Sequence, residues 1–124
     1  MTLLLLGSSF GIARLDPGEA VPTWAAHGPF VSVTRTEEEL SVVCEDAAIP
    51  AGVVVERGWR CLRVAGRLDF ALTGVLASLA IPLADAGVSV FAVSTYDTDY
   101  VLVRAEALDT AVDGLRKAGH TVVR

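Results

Sequence analysis

GRLDFALTGVLASLAIPLADAGVSVFAVSTYDTDYVLV, residues 66–103, is the stretch from which the rest of the chain can be read. It is uncharged from Phe70 to Ala84, and it places Leu72, Leu76, Leu79 and Leu83 at spacings of four, three and four, the spacing of one face of an α-helix. Gly87 reads as the stop of that helix, and Pro82 tightens or kinks its last turns because it has no N–H to give the preceding turn. VSVFAVS and YVLV then read as the strands of a hairpin whose tip is STYDTDY, Ser94 to Tyr100. A tight hairpin needs two or three residues with turn chemistry, yet seven consecutive side chains here carry a hydroxyl or a carboxylate. A turn in which Asp97 and Thr98 bond their own backbone accounts for two of them. Ser94, Thr95, Tyr96 and Asp99 are surplus, and carboxylates beside hydroxyls at a strand end suit an ammonium or guanidinium group.

Outward from this stretch, RCLRVA (60–65) reads as the preceding strand. Ala105 to Ala118 reads as a second helix with Leu108, Ala111 and Leu115 on one face, acids early, Arg116 and Lys117 late, and Gly119 as its stop. HTVV (120–123) closes the unit as a short strand. The order β-α-β-β-α-β predicts an α+β, ferredoxin-like fold. The first half repeats the pattern. VTRTEEELSVV (33–43) matches VSTYDTDYVLV sixty positions later, with Glu39 and Asp99 at the same place, and RLD precedes each hairpin, at 14–16 and at 67–69. The opening MTLLLLGSSFG reads as a first strand, PTWAAHG (22–28) as a poor helix, and Pro50 and Gly52 forbid a long helix in AAIPAGVVVERG (47–58). Residues 1–58 are therefore expected to form a degenerate unit and 59–124 a full one, the two sharing strands or packing as one body.

With 124 residues, 52% of them hydrophobic, and a net charge of −5, the chain has a globular composition without the basic face that nucleic acid or an anionic membrane surface requires. Phe70 to Ala84 falls short of the roughly 20 apolar residues that span a bilayer, and the leucine run at the start lacks the basic region of a signal peptide. Cys44 and Cys61 have no CxxC or Cys/His neighbours, which predicts buried thiols of a reducing cytoplasm and no metal site. His27 and His120 lie far apart in the sequence, and there is no asparagine or glutamine to supply the arginine–asparagine pair of an acylphosphatase. RNA-recognition modules share the topology but need stacking aromatics on a basic sheet face. The chain is expected to be neither an enzyme nor a cofactor protein. In RLDFALTG (67–74), Asp69 or Thr73 is available to cap the helix, and Gly74 lets backbone amides approach an anion closely. An anion-friendly helix start beside an acidic hairpin suits a zwitterion such as an amino acid.

Residues 66–108 resemble ACT domains, the amino-acid-sensing regulatory units of biosynthetic enzymes, and in particular the branch of the CASTOR arginine sensors and their small bacterial relatives. SSFGIARLDP (8–17), VPTW (21–24) and TRTEEELSVVC (34–44) look like the divergent leading unit of that branch. The resemblance implies a tandem of ACT units with ligand held between two of them, by the loop into the first helix and by the start of the second strand. Carried onto this sequence, the loop is Asp69, Phe70, Leu72, Thr73 and Gly74, the strand contacts are Ser89 and Val90, and the hairpin adds Tyr96 and Asp99. CASTOR sensors carry four ACT units where this sequence has two, so a comparable interface calls for a homodimer. A free amino acid, a basic one first, is the expected partner. A ligand-free dimerisation or interaction module acting on a partner enzyme is the alternative.

Overall fold

The computed structural model describes residues 1–124. Its regular elements are β1 (Thr2–Leu15), β2 (Ser32–Arg35), β3 (Leu40–Glu45), β4 (Val54–Val64), α1 (Val75–Asp85), β5 (Val90–Ser94), β6 (Asp99–Arg104), α2 (Leu108–Lys117) and β7 (Thr121–Val123). Contacts divide the chain into two compact units, Ser8–Trp59 and Met1–Gly7 with Arg60–Arg124. β1 and β4 each cross that division, so Met1–Gly7 belongs with the C-terminal unit.

In Ser8–Trp59 the strand order is β2-β3-β1-β4, with β1 and β3 paired antiparallel from Phe10↔Glu45 to Leu15↔Leu40. Single 3₁₀ turns, Thr23–Ala25 and Asp46–Ala48, stand where a ferredoxin-like unit has helices. Prolines adjoin both: Pro22 precedes the first, and Pro50 closes off extension of the second. The core consists of Ala13, Ala25, Leu40, Val42, Cys44 and Ile49, and Phe10 meets Phe30 edge-on at 6.0 Å. The second 3₁₀ turn lies directly over β1. A Cβ at Gly11 would fall 2.6 Å from Ile49 Cδ1 and 2.7 Å from Asp46 Oδ1. Gly11→Ala must push those side-chain ends aside, and a loss of about 1 kcal/mol is expected by urea unfolding; an unchanged midpoint would show that the turn shifts freely.

In the C-terminal unit the order is β5-β6-β4-β1, and β7 pairs in parallel with β1 from Thr2↔Thr121 to Leu4↔Val123. Both helices pack on the sheet face that carries Leu62, Val64, Val101 and Val103. Pro82 inside α1 leaves the Ser78 carbonyl without its intrahelical donor. His120, just before β7, supplies one: its Nε2 lies 2.8 Å from that oxygen. The leucine face is shorter than the spacing predicts. Leu79 and Leu83 are fully buried, but Leu76 is 39% exposed, and Leu72 precedes the helix at 53%. The second helix also starts later, at Leu108, after a 3₁₀ turn over Ala105–Ala107. Cys61 and Cys44 are both buried and unpaired. Burial pushes the Cys61 thiol up to about 12, and burial with the nearby Asp46 and Glu45 charges raises that of Cys44. Both stay neutral thiols. The architecture is the expected ferredoxin-like α+β fold.

Candidate functional site

The site lies in the C-terminal unit, where the loop leaving β4 meets the tip of the β5–β6 hairpin. The tip is built by Thr95. Its amide donates to the Thr98 carbonyl at 2.9 Å, and its hydroxyl sits 3.0 Å from the same oxygen and 3.3 Å from the Thr98 amide. Thr98, expected to bond its own backbone, instead turns inward: it is 5% exposed, and its hydroxyl donates to the Val64 carbonyl at the end of β4 (2.8 Å). The Asp97 side chain does not bond the turn backbone either. The Asp97 carbonyl accepts the Leu68 amide at 2.6 Å, and its carboxylate pairs with Arg67 Nε at 3.3 Å.

The tip in the N-terminal unit has the same wiring. Thr36 N–H donates to the Glu39 carbonyl at 2.9 Å, and the Thr36 hydroxyl accepts the Glu38 and Glu39 amides. Arg14 of the first RLD donates to the Glu38 carbonyl (3.1 Å). The pairs Arg35↔Leu40 and Ser94↔Asp99 close the two tips. The repeat is therefore fifty-nine positions, from Arg35 to Ser94, and not sixty. Asp99 corresponds to Leu40, so its carboxylate has no counterpart in the first unit.

The strand-to-helix loop is set by Asp69, whose Oδ1 accepts the Ala71 amide at 2.8 Å while its carbonyl accepts that of Leu72. This Asx turn uses Asp69 ahead of the helix. Neither Asp69 nor Thr73 caps α1; the N-cap is Gly74 in the left-handed region (φ 76°), with no side-chain hydrogen bond to the helix. A helix start leaves its first amides without intrahelical partners, and α1 has no acidic residue in its first turn.

Loop and tip enclose an open cavity of about 170 Å³ that touches Asp69, Phe70, Leu72, Val75 and the run from Ser94 to Asp99. An adjoining cleft of about 350 Å³ is lined by Arg67, Leu68, Asp69, Phe70 and Tyr96. Phe70 and Tyr96 meet edge to face at 4.7 Å, and the Arg67 guanidinium lies 5.3 Å from the centre of the Tyr96 ring. Of the residues singled out from sequence, Asp69, Phe70, Leu72, Tyr96 and Asp99 line the cavity. Thr73 and Gly74 sit at the head of α1 beside it. Ser89 and Val90 stand at the start of β5, the other end of that strand from the tip. Ser94 and Thr95, read as surplus polar groups, and Asp97 and Thr98, read as turn residues, also line the cavity, while Arg67, Leu68 and Val75 join the site without having been singled out. The repeated RLD was the available signal for Arg67, and the polar run for Ser94 and Thr95.

A β-α-β-β-α-β unit with a cavity built where a strand-to-helix loop meets a hairpin tip defines a ferredoxin-like domain with a loop-borne cavity. The ACT domain family matches residues 54–117, and this chain belongs to it. A second family, described as an N-terminal domain, matches residues 8–52. The chain is 45% identical to a crystallised Agobacterium tumefaciens protein, with a TM-score of 0.94 over 98% of this chain and 91% of that one. It is 30% identical over 114 residues to the mouse cytosolic arginine sensor for mTORC1 subunit 1, which spans 79% of this chain and 34% of the sensor. The chain thus spans about a third of the length of that curated relative. The regulatory subunit of aspartate kinase from Thermus flavus shares the fold at 12% identity, with a TM-score of 0.66 over 94% of this chain and 95% of that one.

Proposed function

We propose that the chain is a cytoplasmic regulatory module, not an enzyme, that binds a free amino acid in the cavity between loop and hairpin tip. The observation that carries this reading is one cavity touching both the uncapped head of α1, at Val75, and the hydroxyl and carboxylate wall from Ser94 to Asp99. Amides at a helix start favour a carboxylate, and Asp99 supplies the opposite charge for an ammonium or a basic side chain. The named relative that senses arginine supports a basic amino acid as first choice. Around the site, Phe70 (73%), Tyr96 (67%) and Leu72 (53%) expose large apolar surfaces. A second copy of the chain covering them would bury the ligand at a homodimer interface. Light scattering at high concentration is expected to give a dimer, and a strict monomer would remove that part of the reading.

The test is a thermal screen of the twenty amino acids. A ligand at about a hundred times its dissociation constant stabilises the fold by roughly 2.7 kcal/mol, a rise of roughly 10 °C for a domain of this size. Asp99→Ala is expected to erase the rise and to change the unliganded stability by less than about 1 kcal/mol. A screen that moves nothing would favour a ligand-free interaction module, for which the exposed Phe70, Leu72 and Tyr96 already offer a surface.

A further inference from the structure

The cleft beside the tip already holds a cation, and it belongs to the protein. Arg67 carries its guanidinium over the Tyr96 ring at 5.3 Å and brings Nε within 3.3 Å of the Asp97 carboxylate. Phe70 braces that ring edge to face at 4.7 Å. An aromatic face joined to a carboxylate is a seat for a planar cation, and the side chain resting there shows which cation fits. The occupant is weakly held. Arg67 and Asp97 are 69% and 67% exposed, so water and salt screen their attraction.

We propose that Arg67 is a tethered occupant of the ligand's cation seat, so that the protein's affinity for a guanidinium-bearing ligand is set by competition with its own side chain. This rests on the reading of the cavity as an amino-acid site and adds the residue that tunes its specificity. An incoming guanidinium takes over the Tyr96 face and the Asp97 carboxylate, and Arg67 swings into solvent. The exchange replaces like with like. The ligand's net gain therefore comes from what Arg67 does not touch, Asp99 and the amides at the head of α1. A ligand with an uncharged side chain leaves Arg67 in place and is indifferent to it.

The experiment is calorimetric titration of the wild type and Arg67→Ala with arginine, with agmatine, which keeps the guanidinium and lacks the carboxylate, and with citrulline, which replaces the guanidinium by a neutral urea. Arg67 is a surface residue, so the variant folds. Removing the competitor is expected to tighten arginine and agmatine by about threefold to thirtyfold, given the usual strength of an exposed cation–π contact and an exposed ion pair. Citrulline binding should be unchanged. In parallel, the Arg67 Nε–H resonance, displaced in the free protein by the Tyr96 ring current, should move to its solvent-exposed position as arginine is added. Equal or weaker arginine binding by Arg67→Ala would overturn the proposal, because Arg67 would then be helping to hold the ligand. If both proteins bind other amino acids but neither binds arginine or agmatine, the proposal fails and the amino-acid reading stands. If neither protein binds any amino acid, both fail.

Discussion

Leu79→Ala is expected to cost about 2–5 kcal/mol, the usual range for emptying a fully buried leucine site, and so to lower the melting temperature by roughly 8–20 °C. Leu79 has no exposed surface and sits with Leu83, Leu62 and Val101 in the core that holds α1 against the sheet. The control is Leu72→Ala. Leu72 looks equivalent in the sequence but lies ahead of the helix, half exposed, on the cavity wall. Its truncation is expected to change stability by less than about 1 kcal/mol while weakening whatever the cavity binds. Differential scanning calorimetry of the two variants separates the roles. Equal losses would mean that both leucines serve the core.

Thr98→Val is expected to have the next largest effect. Valine matches threonine in shape but cannot donate to the Val64 carbonyl, and the hydroxyl it removes is part of a side chain only 5% exposed. Taking a donor from that buried carbonyl is expected to cost about 1–3 kcal/mol. The loss has a second consequence. The Thr98 hydroxyl ties the hairpin tip to the end of β4, and the Asp97 carbonyl ties the same tip to Leu68. Without the first tie the two walls of the cavity are no longer held in register. Ligand-induced stabilisation should therefore fall further in Thr98→Val than the drop in unliganded stability explains, as measured by melting with and without arginine. A variant that lost stability but kept the full ligand shift would place the tip outside the binding machinery.

The order of elements was legible because each carries a local signal: the leucine spacing for α1, alternating valines for β5 and β6, Gly87 and Gly119 for the helix stops. The start of α1 was not. Spacing alone continues through Leu72, but the Asx turn at Asp69 and the left-handed Gly74 interrupt the backbone before the helix begins at Val75. Periodicity counts residues and cannot register a break that preserves the count. The hairpin match failed by one position for a related reason. Aligning acids put Glu39 with Asp99, whereas hydrogen bonding aligns Thr36 with Thr95, because the hydroxyl that folds the tip fixes the register. The polar surplus of STYDTDY was visible at once, and part of it lines a cavity. What each group does was not visible. That Thr98 points inward and Asp97 answers Arg67 depends on where the end of β4 lies, some thirty residues earlier in the chain.

The splitting of β1 and β4 between the two units bears on how the protein is made. Residues 1–7 leave the ribosome far ahead of the strand they pair with in parallel, Thr121–Val123. A contact of such sequence separation is among the slowest to form, since the whole intervening chain must be closed into a loop first. The unit that carries the cavity is therefore completed only once Thr121–Val123 has been made, while Ser8–Trp59 has its strands in hand much sooner. A fragment that begins at residue 59 would lack the strand lying between β4 and β7, and the site could not be transplanted by cutting the chain where its repeat suggests.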